Sequence, residues 1–504
     1  MERVKALIKS KSVNFFLIAG FCLFLACLSN NYDYDLYARL IVGEYFYGHG
    51  SISYEDFLSY TPTHLWYDHE WGSSVVFYTF LKLFGPFGLV LIQAMLMFFT
   101  TFFIVKIQGL QKYKYPTSLF FIVAFLLLFS HQNPSIVRCH MFSFMFFAMF
   151  LYFLEKTKKN QESNILWLVP PIVIIWNNLH GGVVSGLGMI FIYMIGAILS
   201  RKPWMKYFSV LIVSTPLLAI NPYGVDYLTF LVSANTKNRE FITEWWSVFV
   251  ERHVMYYYAI FGTSVFVFLN TIINGIIKKN IDLTKSLVLF VTLYLGVTHV
   301  KLLSLVLIVI ASLYYPDIVK FFDKSFIRFS QKALYVLIAL TICYIPYTHP
   351  TVARTNGTKY PVLETEFIKM NNLKGNILVD FGLGSYTSYK LYDDNLIFMD
   401  GRYEEVYYDN EFEQLVKFEK AEAPDWDFVL NMYPTDIVMF QKNTLVYPKM
   451  LNNEKWEQIY EGYCCGVFVR KNDVKSKYNY PEDNLKYFQD REFVTDGKFA
   501  KVGQ

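Results

Sequence analysis

Apolar stretches recur along residues 1–347, at 13–29, 86–105, 117–131, 138–154, 165–180, 183–200, 207–220, 256–275, 286–299, 302–315 and 333–347. Each reads as a membrane-crossing helix. Several fall short of the roughly 20 residues a full crossing takes, so their polar ends sit deeper than usual. A further run, WGSSVVFYTFLKLF at 71–84, is shorter, contains Lys82, and reads as a helix lying on the outer surface. The first run follows MERVKALIKSKS and has no clear small-x-small cleavage site before Asn30, so it reads as a signal anchor with its lysines in the cytoplasm.

Lysine placement tests this threading. With 71–84 flat on the surface, Lys106, Lys112 and Lys114, then Lys156, Lys158 and Lys159, all become cytoplasmic. So do Arg201, Lys202 and Lys206, then Lys278, Lys279 and Lys285, then Lys320, Lys324, Arg328 and Lys332. If 71–84 crossed, all of them would land outside. The expectation is a polytopic α-helical membrane protein of about eleven spans. Its membrane domain is 1–347 with a first outer loop at 30–85, and its extracytoplasmic domain is 348–504.

Beyond residue 348 the pattern changes to short apolar runs alternating with amphipathic ones. NILVDF (376–381), LIFMDG (396–401), DIVMF (436–440) and GVFVR (466–470) predict strands, and SYTSYKLY and EFEQLVKFEKA predict helices. This segment is a C-terminal extracytoplasmic α/β domain, long enough to bury a core.

Composition sharpens the class. The 504-residue chain is 54% hydrophobic and only 17% charged, where a soluble domain is nearer about a quarter charged. Its net charge of +4 comes without a long basic run, which argues against a nucleic-acid partner. The six cysteines show no CxxC or Cys/His spacing, so neither a disulfide framework nor structural zinc is expected.

On this topology the unusual polar residues converge on the outer face. They are NNYDYDLYARL (30–40), WYDHEW (66–71), HQNPSIVRCH (131–140), WNNLHGG (176–182), NPYG (221–224), REFITEWW (239–246) and HVK (299–301). Polar groups gathered at one set of helix ends suit an amphiphilic substrate, with its head in a cavity and its tail among helices.

Each group also has a plainer reading. Asp33 or Asp35 can cap the helix LYARLIVGEYFY, with Asp35 and Arg39 as an i,i+4 pair; either aspartate is equally a candidate catalytic base. Asp68, His69 and Glu70 are loop charges in an aromatic belt, or sugar ligands, with Asp68 and Glu70 the candidate holders of a divalent metal such as Mg²⁺ or Mn²⁺. Asn178 and His180 are a helix end before a glycine cap, or head-group donors, and NPYG is a turn. Arg138, His299 and Lys301 are snorkelling cations, or they bind a phosphate.

The chain resembles a group of bacterial multi-spanning proteins with an Asp-x-Asp start, a Phe-Ser-Tyr-Thr-like stretch (FLSYT, 57–61), an Asp-His-Glu-Trp motif, NNLHGG, NPYG and a Phe-x-Asp-Gly-Arg-like piece (FMDGR, 398–402). More distantly it is similar to the GT-C superfamily of glycosyltransferases, including protein O-mannosyltransferases and aminoarabinose transferases. The resemblance implies a polyprenyl-phosphate sugar donor, a bacterial inner-membrane location, an extracytoplasmic glycan, lipid or protein acceptor, and first-loop acids that activate the acceptor or hold a metal. The Trp-Trp-Asp-Tyr-Gly acceptor motif and the His-Pro-Pro-like stretch of particular branches are missing, so sugar and acceptor stay open. A lipid or lipid-linked-sugar flippase is the main alternative, and a non-catalytic scaffold displaying the outer domain is a third.

Overall fold

The computed structural model describes residues 11–28, 31–111, 119–133, 135–236, 242–250, 255–323 and 357–474, with a few further positions including Arg239, Thr355 and Tyr478. Of the topology markers, Lys5, Lys9, Lys112, Lys114, Lys324, Arg328 and Lys332 lie outside the described residues, as does most of the 333–347 stretch. The chain divides into two compact units. One is Met1–Leu28, Leu91–Pro134 and Cys139–Pro350; the other is Ser29–Val90, Ser135–Arg138 and Thr351–Gln504.

The first unit is helical. Its helices are α1 (Lys11–Leu28), the greater part of α4 (Pro86–Leu110), α5 (Leu119–Gln132), α6 (His140–Lys159), α7 (Val169–Leu179), α8 (Val183–Leu199), α9 (Met205–Ser214), α10 (Asp226–Thr236), α11 (Met255–Ile277), α12 (Leu283–Thr298), α13 (Leu303–Leu313) and α14 (Tyr315–Val319). By length and composition, Pro86–Leu110 and Met255–Ile277 can cross a bilayer. Local rules set the ends. Proline occupies the first turn of α7, where a missing N–H costs nothing. Asp282 caps α12 by accepting the Lys285 N–H at 3.1 Å.

Two sets of helix ends in this unit are tied by polar contacts. Lys158 pairs with Asp282 (2.6 Å), Lys285 with Asp317 (2.6 Å) and Lys320 with Asp317 (3.0 Å), so lysines expected on one face meet through shared acids. Among the residues expected on the other face, Gln132 donates to the Val300 carbonyl (3.0 Å), and Asn133 contacts Ser304 (3.2 Å) and His140 (3.0 Å).

The second unit is α/β. It holds α2 (Leu36–His49), α3 (Trp71–Phe84), α15 (Val362–Met370), α16 (Gly384–Leu391), α17 (Tyr403–Val406), α18 (Asp409–Lys420), α19 (Val429–Met432) and α20 (Val446–Leu451). Its strands are β3 (Gly375–Val379), β4 (Asn395–Ile397), β5 (Ile437–Gln441), β6 (Trp456–Glu461) and β7 (Cys465–Arg470), in the order β4-β3-β5-β7-β6. β4, β3 and β5 run parallel, and β7 is antiparallel to both β5 and β6. A separate parallel ladder joins β1 (Asn31–Tyr32) to β2 (Ser135–Ile136).

The first loop belongs to this unit. Its 58–60 stretch covers the open edge of β4, where Ile397 donates to the Leu58 carbonyl (2.9 Å) and Tyr60 to the Ile397 carbonyl (3.1 Å); further on, His64 donates to the Val406 carbonyl at the end of α17 (3.0 Å). An edge strand otherwise exposes a row of unpaired backbone groups. Helices α2 and α3, of 14 residues each, are about 21 Å long, short of the roughly 30 Å hydrocarbon core. They pack closely where Gly43 faces the Ser74 carbonyl and Tyr78.

Candidate active site

The predicted acids of the α/β unit fall into two groups. The first is built where β1 pairs with β2. That ladder places Arg138 beside the Asp33–Asp35 stretch, and the guanidinium spans both acids, with Nε 3.1 Å from Asp33 and Nη2 3.1 Å from Asp35. Val137, immediately before Arg138, is a buried β-branched residue at φ 50°. Such a residue is a genuine outlier in the left-handed region, held only when its surroundings over-determine it.

The two aspartates differ. Asp33 is buried, with one oxygen accepting the Asp35 N–H at 3.1 Å, whereas the Asp35 side chain is 42% exposed. Asp35 occupies the N-cap position of α2 but makes no side-chain cap. Lys359 lies 4.5 Å over the Tyr34 ring. Burial lowers its pKa, with Asp33 pulling the other way. Burial, assisted by Cys464, Asp33 and Asp380, pushes the Tyr34 phenol up to about 12.

The second group centres on Arg39. It meets Asp68 at 2.5 Å, Glu405 at 3.0 Å and Glu70 at 3.7 Å, all inside the unit. The Trp66 indole donates to Glu405 (2.9 Å), and His69 stands 3.0 Å from Glu405 and 3.7 Å from Glu70. One guanidinium cannot neutralise three carboxylates, and the burden divides unequally. At Glu405 burial opposes the charge, but Arg39, then His69 and Trp66, outweigh it and hold the carboxyl below its usual range. At Asp68 burial wins over Arg39, with Glu405 adding to the rise, and the pKa climbs to about 6.

His69, Glu70 and Glu405 present ligand atoms within 4.8 Å of one another. One imidazole and two carboxylates suit a borderline or hard divalent cation. Glu70, a predicted metal residue, is in this set; Asp68, the other, spends its Oδ1 on Arg39 and on the Glu70 N–H (2.8 Å).

The two groups share one stretch of the α/β unit, residues 398–405. Gly401 lies against the Asp35 carboxylate, and Glu405 closes on Arg39 and His69. Between them Arg402 is fully buried, with Nε 2.9 Å from Asp400, Nη1 2.6 Å from Asp56 and its guanidinium 4.6 Å from the Trp66 ring. FMDGR thus fastens the first loop to the domain.

Asn178, His180, His299 and Lys301 lie in the helical unit. Asn178 donates to the Ile174 and Ile220 carbonyls, tying the end of α7 to the NPYG turn. His180 contacts Ser143 (2.8 Å) and accepts the Gly182 N–H at Nδ1 (2.8 Å). His299 meets Trp245 edge-on at 5.2 Å, while Lys301 pairs with Glu244 at 2.9 Å and lies 5.0 Å over the same indole. Arg239 stacks on Trp245 at 4.2 Å.

Sequence reasoning passed over Glu405 and Lys359, and it gave no individual role to Arg402 and Arg239, which lie inside FMDGR and REFITEWW. FMDGR was a visible signal for Arg402, but nothing in the chain pointed Glu405 at Arg39.

The protein has a GT-C-like fold. Among solved structures it is similar to an oligosaccharyltransferase of Archaeoglobus fulgidus in the apo form, at 10% identity and a TM-score of 0.55 over 86% of this chain and 70% of that one. It is also similar to the arabinofuranosyltransferase AftD from Mycobacteria, at 12% identity and a TM-score of 0.51 over 90% of this chain and 41% of that one. The chain therefore spans less than half the length of AftD. No protein-family model matches the chain, and no curated protein matches it.

Proposed function

We propose that the protein is a membrane glycosyltransferase that moves a sugar from a polyprenyl-phosphate-linked donor to an extracytoplasmic acceptor. On this reading the chain crosses the plasma membrane about eleven times, with the N-terminus in the cytoplasm and the α/β unit outside. The reading is carried by one observation: a half-exposed carboxylate, Asp35, held against a guanidinium in a chain of GT-C-like fold.

Transfer requires the acceptor O–H to lose its proton as its oxygen bonds to the sugar's anomeric carbon, while the C–O bond to phosphate breaks and the phosphate leaves with the electron pair. Asp35 accepts the proton, being the more exposed of the two aspartates. Asp33 is the residue that orients Arg138. Arg138 offers its charge to the departing phosphate. Within the helical unit, His299, Lys301, Asn178 and His180 form a separate set of candidate donor-binding residues. A divalent cation would be held by His69, Glu70 and Glu405, with Asp68 and Arg39 around them, and would supply positive charge against phosphate oxygens. The α/β unit binds or covers the acceptor.

The test is purified protein in a bilayer with radiolabelled polyprenyl-phosphate sugars and candidate acceptors. Release of polyprenyl phosphate with label appearing in acceptor supports the reading. Movement of intact donor across the bilayer without release replaces it with a flippase.

A further inference from the structure

We propose that Gly401 is a positioning residue that sets where the Asp35 carboxylate stands; the inference rests on Asp35 as the base. Gly401 sits just beyond β4, in the FMDGR stretch, and its φ lies outside the left-handed region. The position therefore needs a glycine for space and not for backbone conformation. A Cβ there would fall inside the contact distance of Asp35 Oδ1, 3.4 Å from Asp35 Cγ and 3.8 Å from Ser385 Oγ.

The backbone at 401 has little room to retreat. Phe398 donates to the Ile377 carbonyl (2.9 Å) and accepts from the Thr61 hydroxyl (2.7 Å). Asp400 is buried and takes both the backbone N–H and the Nε of Arg402, whose Nη1 is anchored on Asp56. Behind it Gly384 approaches so closely that its own Cβ would lie 2.8 Å from the Asp400 Cβ. Of the two parties to the clash, the carboxylate is the one that can move.

On its other side Asp35 is bonded to Arg138, which Asp33 also holds. The carboxylate is thus gripped between a bare backbone and a fixed guanidinium. Added bulk at 401 is absorbed by swinging Asp35, at small cost to the fold and large cost to a reaction whose geometry tolerates little displacement.

The test uses the full chain in nanodiscs as wild type, Gly401→Ala, Asp35→Asn and the double variant. Gly401→Ala should keep its Tm within about 2 °C, show the Asp35 carboxylate displaced from Arg138 in its cryo-EM structure, and lose about 100-fold in kcat with KM for the donor unchanged. In the Asp35→Asn background the same substitution should cost nothing further. An unmoved carboxylate, an unchanged kcat, losses that multiply in the double variant, or a variant that fails to fold each overturns the inference. A wild type that turns over no donor overturns the base assignment instead, and the position of the carboxylate in the Gly401→Ala structure still decides what Gly401 does.

Discussion

Arg39 Nη2 lies 3.0 Å from Glu405 Oε2, an ion pair between residues 366 positions apart in the chain and each only 4% exposed at the side chain. It binds the start of the first loop to the end of FMDGRYEE through charge removed from water. Such a pair costs nearly as much to desolvate as it returns, but removing one partner strands the other. Glu405→Ala should therefore destabilise the protein by about 3 kcal/mol, and Glu405→Gln by less, because the amide can still accept from Arg39 and Trp66. Thermal unfolding of the two variants in detergent checks the order; equal stability for Glu405→Ala and wild type would show that the pair is not formed.

Glu364 gives a pH dependence that can be isolated. It is buried, and although one oxygen accepts the N–H groups of Cys464 (2.9 Å) and Cys465 (2.6 Å), burial prevails and raises its pKa from 4.5 to about 7. A raised folded-state pKa means that the fold holds the proton more tightly than the unfolded chain. The associated stability is present in full below pH 4.5 and is lost as pH rises to about 7, by about 3 kcal/mol. Asp68 and Glu419, also raised by burial, slope the same way, so the readout is the difference between wild type and Glu364→Gln. The variant should be the flatter of the two and the more stable above pH 7; parallel profiles would contradict it.

Much of this architecture is legible in the residues. The strands NILVDF, LIFMDG, DIVMF and GVFVR correspond to elements because short continuous apolar runs mark strands covered on both faces. EFEQLVKFEKA keeps a helical period, burying Phe412, Leu415 and Phe418, and SYTSYKLY is a helix buried on every side. WEQIYE was not recognised as a strand: its register shifts between Gln458 and Tyr460, and the irregularity breaks the alternation that marks a strand. VLETEFIKM was also missed, since it buries Glu364 and Glu366 where a core face should be apolar.

At the candidate site the same limit appears. Asp33, Asp35, Asp68, His69 and Glu70 stood out by local density. Arg39 was read as the i,i+4 partner of Asp35, whereas its described ion pairs go to Asp68, Glu70 and Glu405. Tertiary pairing over hundreds of residues leaves no local trace.

Arg138 serves two acids at once, a geometry that depends on a planar fork. Arg138→Lys keeps the charge but cannot span Asp33 and Asp35 together. Turnover should fall by about 10²–10³-fold in Arg138→Ala and nearly as far in Arg138→Lys. A lysine variant with wild-type kcat would show that charge alone suffices.

The His69, Glu70 and Glu405 set predicts metal dependence. Chelation should suppress turnover and Mn²⁺ or Mg²⁺ should restore it. His69→Ala should need at least about tenfold more metal for half-activation, since even an outer-shell loss typically costs that much. Titration of Mn²⁺ binding by its paramagnetic signal checks the same point without an activity assay; unchanged affinity in His69→Ala would remove these residues from any metal role.

Transfer of sugar from a polyprenyl-phosphate donor with Asp35 as the base is tested most directly by single-turnover release of polyprenyl phosphate by wild type and by Asp35→Asn at matched folding. Wild type should release polyprenyl phosphate with label recovered in an acceptor, and the variant should do so at a rate at least about 100-fold lower. Equal rates in the two proteins would contradict it.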